Sequence, residues 1–409
     1  MMSPMATMTD AAAARPSSMT GHVDSDALRS LVERLSTLTR ESGSDDERRA
    51  AELIAAELTA AGAERVRLED ERVHGTYWWP VGLPTAAAAV AGALGRRGLA
   101  VFAGALAAAS VASDIRFGPR PLRRLLPQRT TVNVVGEIGP ADAPRTVVLI
   151  SHHDAAHTGL IFSPTPARVL TERFPAALEH TDTSPPLMWG AVGGPLLVAL
   201  GALLRRPLLR RLGTLLSAGY AAAMADIGAR RVVPGANDNA TGCAALVSIA
   251  RVLAGDPPPG TRVILLSTGS EESFSEGMVA FGRRHFRSLP TETTTFISFD
   301  TLGSPHLLAL EGEGFLGIFE YPKDLLALVA TTARELGIEL KPGLRTRSGT
   351  DGVVPLRAGY PTVSLSSVDR FKQLPHYHLP TDTTEHVQWR QVADAVRLSE
   401  AVVRRLSAA

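Results

Sequence analysis

Thr146-Val147-Val148-Leu149-Ile150-Ser151-His152-His153-Asp154 is the stretch that decides how this chain reads. Five β-branched or aliphatic residues in a row, with no polar alternation, predict a strand buried on both faces, as in the middle of a parallel sheet. The run ends at His152 and Asp154. Open parallel sheets bind their ligands at the carboxyl ends of the strands, so this end is where chemistry is expected.

Working outward, the chain repeats the pattern on both sides. Toward the C-terminus, apolar periodicity predicts a helix over 240–254, a strand over 262–267, a helix over 275–284 and a strand over 294–299. A strand near 306–310, a helix over 323–336, a strand over 362–366 and a closing helix over about 388–406 follow. Toward the N-terminus, 131–138 alternates like a strand and 63–73 holds a connector and a short strand. Residues 24–61 carry helical spacing, broken at Gly43 into two helices with Ser44 or Asp45 as N-cap and Gly62 as a stop. Alternating strands and helices argue an α/β fold: a mostly parallel, mixed sheet sandwiched by helices.

Bulk properties narrow the function. The chain has 409 residues, 45% of them hydrophobic and 20% charged, enough for a large core. A net charge of +1 points away from nucleic acid as a partner. Cys243 is the one cysteine, which excludes an internal disulfide and a cysteine-based zinc site. Residues 1–24 are small and polar, without a basic start and apolar core; they read as a disordered tail and not as a secretory signal.

The metal-type residues fall at strand ends and loops. In His152-x-Asp154 the imidazole can bind a metal through one nitrogen while the carboxylate holds the other ring N–H. Asp238 sits in Gly235-Ala236-Asn237-Asp238-Asn239-Ala240-Thr241-Gly242, where an acidic residue alone would read as a helix cap. Glu271 and Glu272 follow the strand over 262–267; adjacent carboxylates on extended backbone point apart, so one can bind metal while the other faces substrate. Asp300 ends the strand over 294–299, and His376 and His378 compete in a Pro-bounded loop. Each has a bland structural reading alone. Together, in this order on one sheet edge, they form a metal site.

The order His-x-Asp, Asp-Asn-Ala-x-Gly, Glu-Glu, Asp, Tyr-His-x-Pro-x-Asp resembles the co-catalytic zinc peptidases of family M28, over roughly residues 27–75, 130–158 and 232–406. That resemblance implies the zinc-exopeptidase, phosphorylase/hydrolase-like fold. It also implies two Zn²⁺ ions, one held by His152 and Asp300, the other by Glu272 and His378, with Asp238 bridging. Glu271 would be the general base and Asp154 the orienting carboxylate, and the Asp238–Asn239 peptide would be cis. The implied substrate is a peptide or N-terminal aminoacyl compound. An amidohydrolase or glutaminyl-cyclase-like enzyme on the same site, and a membrane scaffold with a vestigial site, are the alternatives. Thr350-Asp351-Gly352 stands where the family often has Ser-Asp-His, and His153 and His157 are extra and read as structural.

The domain reading follows. After the tail, residues 25–76, 130–158 and 232–409 make the catalytic domain, with apolar helical insertions at 77–129 and 159–231. The insertions hold apolar pairs over 85–94 with 99–113, and 187–204 with 212–228, each with arginines in its turn. Two readings stand: membrane association through 77–113 and 187–228, with a cytoplasmic location otherwise, or a helical cap packed on itself or on a partner subunit. The membrane reading is favoured, although the basic runs 116–129 and 230–231 at the other end blur the charge asymmetry. Because one insertion begins just past His152, it should lie near the catalytic edge and limit substrate size.

Overall fold

The computed structural model describes residues 23–175 and 181–408, the side chain of Ala167 excepted. All but the last two residues of the expected tail lie outside them. Helix α1 (Ser25–Ser36) opens on Asp24, whose carboxylate accepts the N–H groups of Asp26 and Ala27 at 3.1 and 3.0 Å. Helix α2 (Asp45–Ala60) opens on Ser44, which accepts the Glu47 N–H at 3.1 Å, so Ser44 is the cap and not Asp45.

A seven-stranded sheet forms the centre. Its strands are β1 (Glu64–Val73), β2 (Arg129–Ile138), β3 (Arg145–His152), β4 (Thr261–Thr268), β5 (Thr294–Phe299), β6 (His306–Ala309) and β10 (Thr362–Val368). The spatial order is β1-β2-β4-β3-β5-β10-β6. The four central strands β4, β3, β5 and β10 run parallel, β2 and β6 flank them antiparallel, and β1 pairs antiparallel with β2 at the edge. Strand β3, paired on both sides, is the buried strand that its unbroken apolar run calls for; Val148, Leu149 and Ile150 are fully buried. The sheet is mixed and mostly parallel in its middle, as expected.

Helices cover the sheet: α1, α2, α9 (Thr241–Gly255), α11 (Lys323–Glu335) and α13 (Trp389–Ala408) share one core with it, and α10 (Glu276–His285) packs against a second. A small sheet of β7 (Gly312–Glu313), β8 (Phe319–Glu320) and β9 (Arg345–Thr346) lies outside the sequence reading. Its strands are two residues each, too short for any periodicity to show.

The two apolar insertions fold into α3 (Trp78–Leu94), α4 (Arg97–Ile115), α7 (Trp189–Leu203) and α8 (Pro207–Ala229). These pack into one four-helix bundle, so the hairpins do meet each other. Helix α3 starts seven residues before the expected 85, because Trp78-Trp79-Pro80 form its first turn, where a proline lacks no needed N–H. Helix α8 starts at Pro207, which suits the first helical position.

Candidate metal centre

Loops from the carboxyl ends of the four parallel strands converge on one point. His152 is the last residue of β3, Glu271 and Glu272 follow β4, Asp300 follows β5, and His378 lies in the loop after β10. Asp238 sits in a wide turn, Ala236–Ala240, that leads into α9. That turn is held from three sides. Asp382 accepts the main-chain N–H groups of Asn237 at 2.8 Å and Asp238 at 3.1 Å. The Asn239 side chain donates to the Phe299 carbonyl at 2.7 Å and accepts the N–H of Thr301 at 3.2 Å. Buried Arg40 donates to the carbonyls of His153, Pro234 and Gly235 at 3.1, 2.6 and 2.9 Å. The Asp238–Asn239 peptide is cis, as the resemblance implies.

Asp238 stands between two imidazoles, one at each carboxylate oxygen. Its Oδ1 lies 3.3 Å from His152 Nε2 and its Oδ2 lies 3.4 Å from His378 Nε2. Asp300 Oδ2 is 3.9 Å from His152 Nε2, and Glu272 Oε2 is 3.3 Å from His378 Nε2. His152 Nε2, Asp238 Oδ2 and Glu272 Oε1 are buried and make no hydrogen bond among the described residues. Buried polar atoms left unpaired are rare and ask for a partner. A tetrahedral ion with ligand bonds of about 2.0–2.1 Å needs ligand–ligand edges of about 3.3–3.4 Å. Three of the four separations match that edge. Nitrogen and carboxylate donors without thiolate are a zinc-type set, and His152, Asp238 and Glu272 can approach one ion together.

The ring of His152 is oriented from behind. Its Nδ1 meets the main-chain carbonyl of Asp154 at 3.2 Å and the carboxylate Oδ1 at 3.4 Å, which leaves Nε2 as the free lone pair. The Asp154 carboxylate is spent mainly on the Glu-Glu turn: it accepts the N–H of Glu271 at 2.9 Å and of Glu272 at 3.0 Å, and the Ser42 hydroxyl at 2.6 Å. One residue thus fixes the imidazole and both glutamates. Among the described residues the Glu271 carboxylate accepts one hydrogen bond, from the Ser275 hydroxyl at 3.4 Å.

Charge crowding sets the proton affinities. Burial opposes charging His378, but Glu272 and Asp238 outweigh it and push it up to about 10. His152 is likewise raised by Asp154 and Asp238 against its burial. Burial would raise Asp238, but the two imidazoles hold it below the usual carboxylate range. Burial, then Asp238, pushes Asp300 up to about 8. Glu271 is raised well above an ordinary glutamate, first by burial and then by its carboxylate neighbours, against the pull of His152. A pocket with this surplus of buried carboxylate is suited to cations.

All seven site residues read from the sequence meet here. His376 does not: it faces Thr381 and stacks on His386 with ring centroids 4.1 Å apart. His153 turns to Ser267 at 2.9 Å, and burial drops it to about 3. His157 bonds the Arg230 carbonyl and packs on Trp78. Asp351 receives the Thr268 hydroxyl and stands close enough to raise Glu271. Several residues were missed. Tyr377 stacks on His378 at 3.8 Å, and burial with the surrounding carboxylates raises its hydroxyl well above the usual value, keeping it a proton donor. Its place beside His378 in the motif was the available signal. Arg40 had none, because it reaches the site across more than 190 residues of sequence. Phe162, from the second insertion, packs edge-on against His378 at 4.5 Å. Tyr77 packs on Phe274, and Trp189 Nε1 donates to the Phe315 carbonyl at 2.9 Å, so the bundle sits on the catalytic edge.

Residues 220–403 match the family model of peptidase family M28. No curated protein matches the chain by sequence. Among solved structures, a Zn-dependent exopeptidase from Parabacteroides distasonis is 13% identical and covers 94% of this chain and 99% of its own, with a TM-score of 0.56. An aminopeptidase from Aneurinibacillus sp. strain AM-1 is 13% identical, covers 94% of each chain and has a TM-score of 0.55. A glutaminyl cyclase from Fimbriiglobus ruber is 16% identical, covers 96% of this chain and 99% of its own, with a TM-score of 0.57. At these identities the likeness is one of fold.

Proposed function

We propose that this chain, whose residues 220–403 belong to peptidase family M28, is a two-zinc exopeptidase that removes residues from peptide N-termini. The observation that carries the reading is Asp238, with one carboxylate oxygen on each of two imidazoles at 3.3 and 3.4 Å. His152 and Asp300 would hold one ion, Glu272 and His378 the other, and Asp238 both. Zinc bound there supplies Lewis acidity: it polarises a carbonyl and acidifies water.

The remaining steps fall to the chain's own groups. Glu271, held by its main chain and without an ion pair among the described residues, takes the proton from the attacking water. It then returns that proton to the leaving amine. The Tyr377 hydroxyl, on the ring stacked against His378 and kept protonated by burial and the surrounding carboxylates, would serve as a hydrogen-bond donor to negative charge developing at the centre. Phe162 and the bundle wall one side of the centre, which supports action on a chain end.

The test is turnover of aminoacyl-arylamides by the purified protein, with zinc counted by mass spectrometry. Glu271→Gln should lower kcat by about 10²–10⁴-fold while zinc stays near two per chain. A variant that keeps its rate, or a wild type without zinc, sinks the reading. The fold's cyclase relatives favour a second reading, cyclisation of N-terminal glutamine at the same centre. Release of ammonia from glutaminyl peptides without arylamide hydrolysis would establish it.

A further inference from the structure

The contacts between the four helices are rich in small residues, joined by Val81, Val111, Ile115, Val198, Met224 and Ile227, and no leucine of the four helices is buried. Ala88, Gly92, Gly104, Gly194, Gly201 and Gly213 face inward. The fit is backbone to backbone: a Cβ on Gly201 would stand 2.3 Å from the Arg210 nitrogen, and one on Gly213 would stand 2.5 Å from the Val198 nitrogen. Outside stand Val90, Leu94, Phe102, Leu106, Leu208 and Leu215, with Phe102 and Leu215 68% and 70% exposed. Small residues at helix contacts with large apolar ones outward is how helices pack in lipid, where no hydrophobic force pulls leucines inward. Helices α3 and α7 also carry Pro84 and Pro195 in their interiors, a feature tolerated in membrane helices.

The charges are sorted by height. Residues 78–94, 98–113, 187–204 and 212–225 contain no Asp, Glu, Lys or Arg. The helices have 17, 19, 15 and 23 residues, about 22–35 Å at 1.5 Å per residue, against a hydrocarbon layer of about 30 Å. Helix α4 meets the length and composition of a single span alone, with a mean hydropathy of 1.7. Both turns lie at the same end, since Arg97 donates to the Leu203 carbonyl at 3.1 Å. Arg96, Arg97, Arg205, Arg206, Arg210 and Arg211 gather there, and none meets a carboxylate among the described residues. At the catalytic end three arginines are paired, Arg123 with Asp114 and Glu276 at 2.8 and 2.7 Å, Arg230 with Asp226 at 2.8 Å and Arg129 with Glu41 at 2.6 Å, while Arg116, Arg120, Arg124 and Arg231 meet no carboxylate among the described residues. Among the described residues the turn end thus carries six arginines without a carboxylate partner and the catalytic end four, of which Arg120 is buried in protein. Trp79 and Trp189 stand there too, half-exposed, as interfacial aromatics do.

We infer that this bundle spans a lipid bilayer, with its arginine turns among anionic headgroups on one side and the catalytic edge against the other. A second copy does not explain the surface. A two-fold partner covers one face, whereas each of the four helices presents leucine, valine or phenylalanine outward. An open groove of about 720 Å³ between α4 and α7, lined by Val101, Phe102, Leu106, Leu203 and Arg97, has the chemistry of an acyl chain beneath an anionic headgroup. The consequence is a peptidase centre fed from the membrane surface. The bilayer assignment stands on the bundle alone and holds or fails whether or not the centre is a peptidase.

The test uses the full chain reconstituted into phosphatidylcholine–phosphatidylglycerol vesicles. Cys243 is the one cysteine and is buried, so an introduced cysteine takes a fluorescent label selectively. Labels at Phe102→Cys and, as a control, at the exposed Asp256→Cys are compared with acyl-chain spin-labelled lipid as quencher. The label at 102 should lose most of its emission and the label at 256 should keep it. The unlabelled chain should float with the vesicles after an alkaline carbonate wash. Release of the unlabelled chain by carbonate overturns the assignment. So does equal quenching at both positions, or emission at 102 that follows protein concentration instead of the quencher, which would mark a contact between copies.

Discussion

The catalytic sheet and the four-helix bundle are both rich in apolar residues, but they place them oppositely. In the sheet, Val148, Leu149, Ile150 and Leu266 are fully buried, and His152, Asp238, Glu271 and His378 gather at one edge. In the bundle, the helix contacts are rich in glycine and alanine and no leucine is buried. Hydrophobic composition alone cannot distinguish the two. What separates them is which size of side chain lines the contacts, and under the bilayer assignment proposed above that follows from the solvent each faces.

If the two regions are independent devices, damage to one should spare the other. Asp238→Ala removes the only carboxylate shared by both imidazoles among the described residues. Zinc should fall from about two per chain to a small fraction, with activity lost by about 10³-fold or more, because each ion loses a ligand and the charge that balances it. Vesicle association should not change. A variant that detaches from lipid as it loses zinc would break the comparison and make the bundle part of the metal centre's own structure. Removal of zinc from the wild type with a chelator should give the same pattern, reversibly.

Much of this division was legible before any coordinates. The unbroken run ending at Ile150 gave the buried strand, and five motifs on one sheet edge gave the centre, because metal chemistry restricts residue type and spacing so strongly. What could not be read was support from far along the chain. Arg40 holds carbonyls near residue 235, and Glu47 accepts Thr131 and Ser270, through contacts that no local pattern encodes. The bundle's charge asymmetry also looked blurred. Only the structure shows that Arg123, Arg129 and Arg230 are already paired.

Next in size is a matched pair of truncations. Leu149→Ala in β3 opens a cavity in a fully buried strand and should cost about 2–5 kcal/mol of unfolding free energy. Leu215→Ala on α8 removes a side chain that is 70% exposed and should change stability in detergent by no more than about 0.5 kcal/mol. Denaturant midpoints read both. Equal costs would mean that α8 is covered by protein and not by lipid, and the contrast between the regions would fall.

The smallest effect is a pH dependence on the polar side of the comparison. Glu313, fully buried in β7, accepts the Tyr321 hydroxyl and the Thr350 N–H at 2.8 Å. Burial pushes it from 4.5 up to about 7, with Asp351 adding to the rise and the Tyr321 and Thr350 hydrogen bonds opposing it. The folded state therefore holds a proton that the unfolded chain releases between those values. Stability from this group is fully present below pH 4.5 and is lost as pH rises through about 7, to a limit of about 3 kcal/mol. Glu313→Gln cannot ionise, so between pH 5 and pH 8 its stability should improve relative to the wild type by up to that amount. Midpoints that run parallel across the range would show that the carboxylate is ionised in the fold, and that this end of the sheet tolerates buried charge without a cation beside it.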